Sequence, residues 1–315
     1  MKIPRREALT TAAVLFCALP GVCAATEPAS VRERGALSLR DENDWWGKWS
    51  DKYYTNGSRL AWTTPEIFPD SAPGGTLRAT VSITHEMYSA KDGRTKTPSP
   101  DDHRYAGLAY LGLGLSRETA NHLDCLQLDL GVAGPSAKGE RVQQNWHHFM
   151  GADTLNGWDT QIDDRAIVNV TLERRWRIAW AEAADGLGGD LVPRVGALLG
   201  TMRTEAVAGA QLRFGKNLPR DFGQTSLRHS AAYAKPREEG AGAALYGFLD
   251  AQAELVAHNV ALDGGERAAV AQLTAGVAFE AGRWQVQLLQ GVRTEEFRGQ
   301  DHAFAFGALT VNATF

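Results

Sequence analysis

After residue 24, the sequence has no long apolar run. No stretch reaches the ~18 consecutive apolar residues that suggest a transmembrane helix, although 43% of all residues are hydrophobic. A membrane protein built from helices is therefore excluded. Because lipid offers backbone groups no water partner, a chain without apolar helices can cross a membrane only as strands of a closed barrel.

Cysteine and positive charge are also scarce. Of the three cysteines, Cys17 and Cys23 lie in a segment that we predict to be removed, so Cys125 has no partner for an intramolecular disulfide. The formal net charge is −4, and loss of that basic segment makes the mature chain more acidic. An acidic chain is a poor general binder of nucleic acid, so we expect no nucleic-acid partner.

The amino terminus has the order of an export signal. A basic start is followed by an apolar run from Ala8 to Val22, and Val22-Cys23-Ala24 supplies small residues where a signal peptidase cleaves. The run is shorter than the roughly 20 residues that span a bilayer, which argues against a membrane anchor. We predict that residues 1–24 are a signal peptide and that residues 25–315 form the mature protein.

Hydrophobicity alternates with a period of two along the mature chain. Leu77, Ala79, Val81 and Ile83 alternate with polar residues, which is typical of a strand between lipid and a polar lumen. The same pattern recurs at 126–132, 168–173 and 271–280. We count about twelve strands, and single-chain bacterial barrels close with an even number. The sequence thus predicts an all-β fold, an antiparallel transmembrane β-barrel with extracellular loops.

The last predicted strand ends on an aromatic residue. Leu309, Val311, Ala313 and the terminal Phe315 form an apolar face that resembles the signal bound by the outer-membrane assembly machinery. Nine tryptophans suit the aromatic girdles of such a barrel better than the core of a soluble sandwich. We predict a location in the bacterial outer membrane, with membrane lipid and the barrel assembly machinery as partners.

Two familiar hydrolase motifs are missing. The sequence has no Gly-x-Ser-x-Gly elbow, and the second histidine of a zinc-protease helix does not follow His85-Glu86. The fold leaves the function open, because barrels serve as porins, adhesins, proteases and lipases. We expect the chemistry to come from residues that face inward and from loops.

A series of short polar segments runs along the mature chain. They are Glu42-Asn43-Asp44, Tyr53 to Leu60, Met87-Tyr88-Ser89, Arg104 to Gly107, Gly131 to Ala137, Val142 to His148, Gly157 to Gln161, Arg213 to Leu218, Asn259 to Gly264 and Arg293 to Phe297. In content and order they resemble the lipid A 3′-O-deacylase family of outer-membrane enzymes (LpxR-like). The resemblance covers essentially the whole mature chain.

The resemblance implies a catalytic site near the outer rim of the barrel. It assigns the general base to His147, with His148 as the alternative, and gives Thr55 and Gln143 further active-site roles. A neutral imidazole can take a proton from water near neutral pH. Gln143 precedes His147 by four residues, so both would share a face of a short helix in that loop.

The resemblance also implies a calcium ion on Asn43 and Asp44. Carboxylate and amide oxygens suit a hard cation, and bound calcium would polarise the ester carbonyl. Trp45 stands where other members of the family have a further acid, so Asp41 and Glu42 are alternative sources of another ligand.

Lipid A carries phosphate groups, and the resemblance assigns their recognition to the polar loop after Tyr88. Lys91, Arg94 and Lys96 lie in this loop. Arg94 and Lys96 are the expected cations, with Tyr88 itself as a further substrate contact. Arginine can bind phosphate bidentately, whereas lysine offers a point charge.

These inferences predict a calcium-dependent carboxylic ester hydrolase. Its substrate would be lipid A or lipopolysaccharide, and a histidine-activated water would cleave the 3′-O-linked acyloxyacyl ester. A serine acyl-enzyme is disfavoured because no serine has a visible base partner. The alternative from another class is a non-catalytic outer-membrane barrel, either a channel or a structural protein.

Overall fold

The computed structural model describes residues 34–44, 52–68, 74–180, 183, 186–224, 226–262 and 265–315. The predicted signal peptide, its boundary and Trp45 lie outside these residues. Among the helices in the described ranges, none has the length and apolar character needed to cross a membrane.

The described strands form one antiparallel sheet that closes on itself. The strands are β1 (Ala36–Asn43), β2 (Tyr53–Thr63), β3 (Thr76–Ser89), β4 (Ala106–Glu118), β5 (His122–Ala133), β6 (Arg165–Trp176), β7 (Ile178–Ala179), β8 (Leu187–Gly200), β9 (Arg203–Lys216), β10 (Ala244–Asn259), β11 (Ala269–Ala281), β12 (Trp284–Arg293) and β13 (Phe304–Thr314). Neighbours in sequence pair, and β1 pairs with β13. Both β6 and the two-residue β7 pair with β8, so they count as one barrel strand. The prediction of a 12-stranded barrel is confirmed.

The helical segments are few. Helix α1 covers Gly139–Met150, and short 3-10 turns cover Pro135–Ala137, Gly157–Thr160 and Val260–Leu262. Helix α1 lies in the long connection between β5 and β6, as the family resemblance implied. We call this end of the barrel the helix end. Strand β1 begins at Ala36 and strand β13 ends at Thr314, and these two paired residues lie at the opposite end of the barrel.

The alternation predicted from the sequence separates two faces. Leu39, Leu60, Ile83 and Leu111 lie side by side on β1 to β4, and all four side chains are exposed on the outer face. The residues that alternate with them along each strand, such as Arg40, point inward and are buried. An apolar band therefore surrounds a polar interior, as a barrel in lipid requires.

The interior is filled by the connection between β9 and β10. We call residues 217–243 the plug, of which residue 225 is not described. The backbone N–H of Leu227 donates to the inward-facing Glu42 (2.8 Å), and its carbonyl accepts from Arg59 (2.6 Å). Other plug residues contact inward side chains of β5, β6, β9 and β10, so the plug enters the lumen.

Buried ion pairs line the lumen around the plug. They include Arg203 with Glu86, Arg194 with Asp250, Arg213 with Asp190 and Arg293 with Glu254. Desolvating two charges costs several kcal/mol, so such pairs persist only with close geometry and further hydrogen bonds. Two of these arginines also bind the plug, because Arg203 donates to the carbonyl of Arg228 (3.3 Å) and Arg213 donates to Asp221.

Arg228 joins the plug to the helix end. Its guanidinium donates to Glu296 (2.9 Å) and stacks 3.9 Å above the ring of Tyr54. Burial raises the pKa of Glu296, but the charges of Arg228 and Arg293 outweigh burial and hold it at about 2. Glu296 is therefore ionised at neutral pH and needs both partners.

We predict that Arg228→Ala destabilises the barrel. Removing one partner leaves a buried carboxylate undercompensated, which should lower the free energy of unfolding by about 3 kcal/mol at neutral pH. Urea unfolding, followed by heat-modifiable electrophoretic mobility, measures the change.

Arg174→Ala is the matched control, because Arg174 pairs with Asp124 at a half-exposed position and its loss should have a much smaller effect on stability. Since the folded-state pKa of Glu296 is depressed, its stabilising effect is present above the unfolded value of about 4.3 and is lost as pH falls towards 2. The Arg228→Ala deficit should shrink over that acid range. Equal deficits in the two variants would contradict the anchoring role of Arg228.

Candidate active site

Polar residues interrupt the lipid-facing surface near the helix end. Across the outer face, Asn43 lies opposite Asn56, which lies opposite Met87. Two residues further from the helix end, Asp41 lies opposite Ser58. All five line a cavity of about 700 Å³ that separates the wall from helix α1. We call this cavity the outer cleft.

The predicted site residues of β1 and β2 that line the outer cleft face outward, whereas we expected the chemistry to come from inward residues and from loops. The position of a residue along its strand determines whether it faces the lumen or the outside, because residues two apart share a face. Asn43 and Asp41 share the outer face with Leu39, whereas Glu42 points into the lumen and accepts from Tyr54 and the plug. Glu42 therefore does not line the cleft.

A β-bulge sets the direction of Thr55. The pairing of β2 with β3 shifts register between Tyr54 and Asn56, and Tyr53 just before it has a positive φ of 63°. A bulge bends its strand and redirects a side chain. Thr55 consequently lines the cleft beside Asn56, and its hydroxyl donates to Ser89 (2.9 Å).

Glycines let helix α1 pack closely on the wall. A Cβ on Gly139 would lie 3.1 Å from the Cα of Gly107 on β4 and 2.7 Å from the ring of Trp158. The helix ends at Met150, and the following Gly151, which has a φ of 67°, caps the last turn with its N–H. The start of α1 is thus held at a short distance from β4.

The side of helix α1 that faces the barrel wall carries Gln143 and His147, both buried. The amide of Gln143 accepts from the indole of Trp158 (2.8 Å) and donates to Ser89 (3.3 Å). Ser89 thereby joins Thr55 on the wall to Gln143 on the helix. Thr55, Gln143 and His147, which the sequence predicted as catalytic, line one cleft.

One hydrogen bond determines the tautomer of His147. Its Nδ1 lies 2.5 Å from the backbone carbonyl of Asp153. A carbonyl oxygen can only accept, so in the neutral imidazole Nδ1 carries the proton and Nε2 carries the lone pair. His148, by contrast, is exposed and does not line the cleft.

The predicted metal ligands offer oxygen donors at the end of β1. Asn43 lines the cleft, and Asp44 is buried next to it, where its carboxylate accepts from the N–H of Lys52 (2.7 Å). Asp41 lines the same cleft and accepts from Asn56 (2.9 Å). A donor set of amide and carboxylate oxygens fits a hard cation such as calcium.

A basic cavity of about 620 Å³ contains another predicted substrate-binding residue. It is lined by three cations, Arg94, Lys52 and Lys91, and by two acids, Asp92 and Asp153. Arg94 lies 3.7 Å from Asp153, and Lys91 pairs with Asp301. Asp153 connects it to the cleft, because the same residue's carbonyl bonds His147. Lys96 does not line either cavity, although its carbonyl accepts from Thr160 nearby.

Tyr88 is a predicted site residue that faces away from the cleft. It lies on the luminal side of β3, where its hydroxyl donates to Glu86 (2.8 Å) and contacts Arg203. The opposite parity gives Ser89 the outer position. Sequence reasoning missed Ser89 and Lys52, although continuing the alternation from Ile83 along β3 places Ser89 outside.

A further acid and histidine group lies inside the barrel. Glu205, His229 and Glu254 come close together, and Nδ1 of His229 lies 2.6 Å from Glu205. The carboxylate of Glu254 already accepts from Arg293. The group joins the plug to β9 and β10, on the other side of the wall from the cleft.

We predict that Gly139→Val separates helix α1 from the wall. The added side chain has no room against Trp158, while valine is not a worse helix former than glycine. Trypsin should then cut after Arg141 much faster, as electrophoresis of timed digests would show, with the barrel still heat-modifiable. Glu140→Val, at an exposed position, is the control; equal protection of all three proteins would mean that the glycine contact does not hold the helix.

Among the comparisons with known proteins, a family model and a solved structure agree with this architecture. A family model described as outer membrane protein LpxR matches residues 9–315. The solved structure of LpxR from Salmonella typhimurium has a TM-score of 0.73 at 20% identity, covering 89% of this chain and 100% of that one. The beta domain of the Bordetella autotransporter BrkA has a TM-score of 0.45 at 9% identity, covering 89% and 97%. No curated protein is significantly similar in sequence. Since the family model spans nearly the whole sequence, this chain belongs to the LpxR family of outer-membrane proteins.

Proposed function

We propose that the protein hydrolyses the 3′-O-linked acyloxyacyl ester of lipid A in the outer membrane. The observation that carries the proposal is the outer cleft, which combines a buried histidine of defined tautomer with oxygen donors on the lipid-facing wall. A lipid ester can approach that surface without entering the lumen. Membership of the LpxR family supports the choice of lipid A or lipopolysaccharide as substrate.

His147 is the proposed general base. Its Nε2 takes a proton from a water molecule as the water oxygen attacks the ester carbonyl. The tetrahedral intermediate then expels the sugar oxygen, which recovers the proton from the imidazolium. The carbonyl of Asp153 keeps Nδ1–H directed and stabilises the cation that forms.

Gln143, Thr55 and Ser89 position this machinery. Their hydrogen bonds connect helix α1 to the bulged β2, so the base on the helix and the donors on the wall keep a constant relation. Catalysis depends on such geometry being held before substrate binds.

Asn43 and Asp44 would hold a calcium ion, with Asp41 as a further oxygen donor on the same face. When bound, the ion would stabilise negative charge on the carbonyl oxygen. The luminal position of Glu42 leaves Asp41 as the better of the two additional ligands considered for this chain.

Arg94 is the proposed phosphate contact, together with Lys91 and Lys52. All three line the basic cavity, and Asp153, which lines it too, is hydrogen-bonded to His147 of the cleft. A lipid A phosphate there would orient the sugar while its acyl chains remain at the lipid-facing wall. Lys96 stays a secondary candidate because it does not line this cavity.

The plug weighs against the alternative of a channel. Residues of the plug bond inward side chains on several strands, and buried ion pairs fill the space between them. A porin requires a wide, water-filled lumen.

We predict that His147→Ala and His147→Asn abolish deacylation. Loss of a general base typically lowers the rate about 10²- to 10⁴-fold. Mass spectrometry of lipid A from cells expressing each variant would show whether the lipid keeps its 3′-O-linked acyloxyacyl group. In the parent protein, the rate should fall as acid protonates the imidazole.

His148→Ala is the matched control, since His148 is exposed on another face of the same helix turn and should retain most activity. The reverse pattern would assign the base to His148. Normal deacylation by both variants would remove the water-activation mechanism.

We also predict that chelation stops the reaction and that added calcium restores it. Asp44→Ala should lose terbium luminescence, a binding signal that does not require turnover, while Asn121→Ala, at the far end of the barrel, keeps it. The barrel of Asp44→Ala should stay folded because strand pairing carries its stability. Full activity in excess chelator would rule out calcium.

A further inference from the structure

Helix α1 has an exposed apolar stripe beside its catalytic face. Val142, Trp146 and Phe149 follow the i, i+4, i+7 spacing of one helix side and are 44%, 58% and 66% exposed. The rings of Trp146 and Phe149 lie 5.8 Å apart. Met150 extends this stripe at the last turn and is 46% exposed.

Another side of the same helix is polar. Arg141 and His148 each precede a stripe residue in sequence, and both are exposed. The helix thus has three sides: one against the wall, one apolar and one polar. An amphipathic helix of this kind binds at the boundary between acyl chains and water.

The residues of the outer cleft show how close the stripe lies to the lipid-facing band. Val142, Trp146 and Met150 line the cleft together with Asp41 and Ser58. Two residues further along their strands come Leu39 and Leu60, which belong to the exposed lipid-facing band. Two residues correspond to about 6.6 Å of strand. The stripe therefore adjoins the upper edge of the surface that meets acyl chains.

We propose that the stripe is a membrane-binding surface, inserted among the acyl chains of the leaflet at the helix end, through which lipid enters the outer cleft sideways. Continuity with the lipid-facing band identifies acyl chains as the occupant rather than another protein. Tryptophan favours this depth, because its ring is amphipathic and concentrates at membrane interfaces.

This arrangement accounts for the two kinds of lining in the cleft. The wall contributes polar groups such as Asp41 and Asn43, whereas the stripe side contributes Trp146 and Met150. An ester group could lie against the polar wall while its acyl chain leaves past the stripe. This part of the inference rests on the proposed function; the insertion of the stripe does not.

Spin labels at adjacent helix positions test the insertion. Phe149→Cys and His148→Cys would each be labelled with a nitroxide in the mature protein, where the remaining Cys125 is buried. After reconstitution into vesicles of phosphatidylcholine and phosphatidylglycerol, relaxation by oxygen reports the acyl region, and relaxation by a nickel chelate reports water. We expect the oxygen-to-nickel ratio to be several-fold higher at 149 than at 148. Equal exposure of both labels to the nickel chelate would overturn the proposal.

Enzyme kinetics test the sideways entry. Phe149→Ser should lower the rate on lipid A in vesicles several-fold but have little effect in detergent micelles, and Phe149→Leu should restore the vesicle rate. Phe149 does not line the cleft, so these changes report access. Unchanged vesicle rates would overturn entry through the stripe. If the parent protein itself releases no acyl chain, the proposed function fails, and the spin labels still decide whether the stripe inserts.

Discussion

Backbone hydrogen bonding in lipid is the constraint on which the rest of this structure depends. A strand edge exposed to acyl chains would leave its N–H and C=O groups without partners, so the sheet must close, as it does through β1 with β13 and β6 with β8. Closure then fixes the faces. A slip of one residue would exchange Leu39 with Arg40, placing a guanidinium in lipid and a leucine among the ion pairs.

The closed wall also determines where chemistry can occur. Because the plug and the arginine–carboxylate pairs fill the lumen, the interior acts as a polar core that stabilises the barrel. In the proposed function, the lipid ester therefore approaches from outside. The outer surface is normally apolar, so Asp41, Asn43 and Ser58 would be costly there if bare lipid covered them. Helix α1 covers them instead, and the cleft between helix and wall is the result.

Several features were predictable because they are local. Alternation at Leu77 to Ile83 specified the lipid-facing side of β3, and the four-residue spacing of Gln143 and His147 placed them on one side of a helix. The same parity, carried past Ile83, puts Ser89 outside and Tyr88 inside, so assigning Tyr88 to the substrate neglected information already present. Lys52 carried no such signal, since only its approach to Lys91 and Arg94 makes it part of a basic cavity.

The sequence by itself determined the strands, their two faces, the family and the set of candidate side chains, because period, parity and motif order are properties of neighbouring residues. Only the tertiary structure decided that β1, β2 and β3 bring Asn43, Thr55 and Ser89 together beneath a helix from a distant loop, and that the plug returns into the lumen. Those outcomes depend on pairings between residues far apart in the chain, whose energies arise from burial and charge compensation in the closed barrel, and no local pattern encodes them.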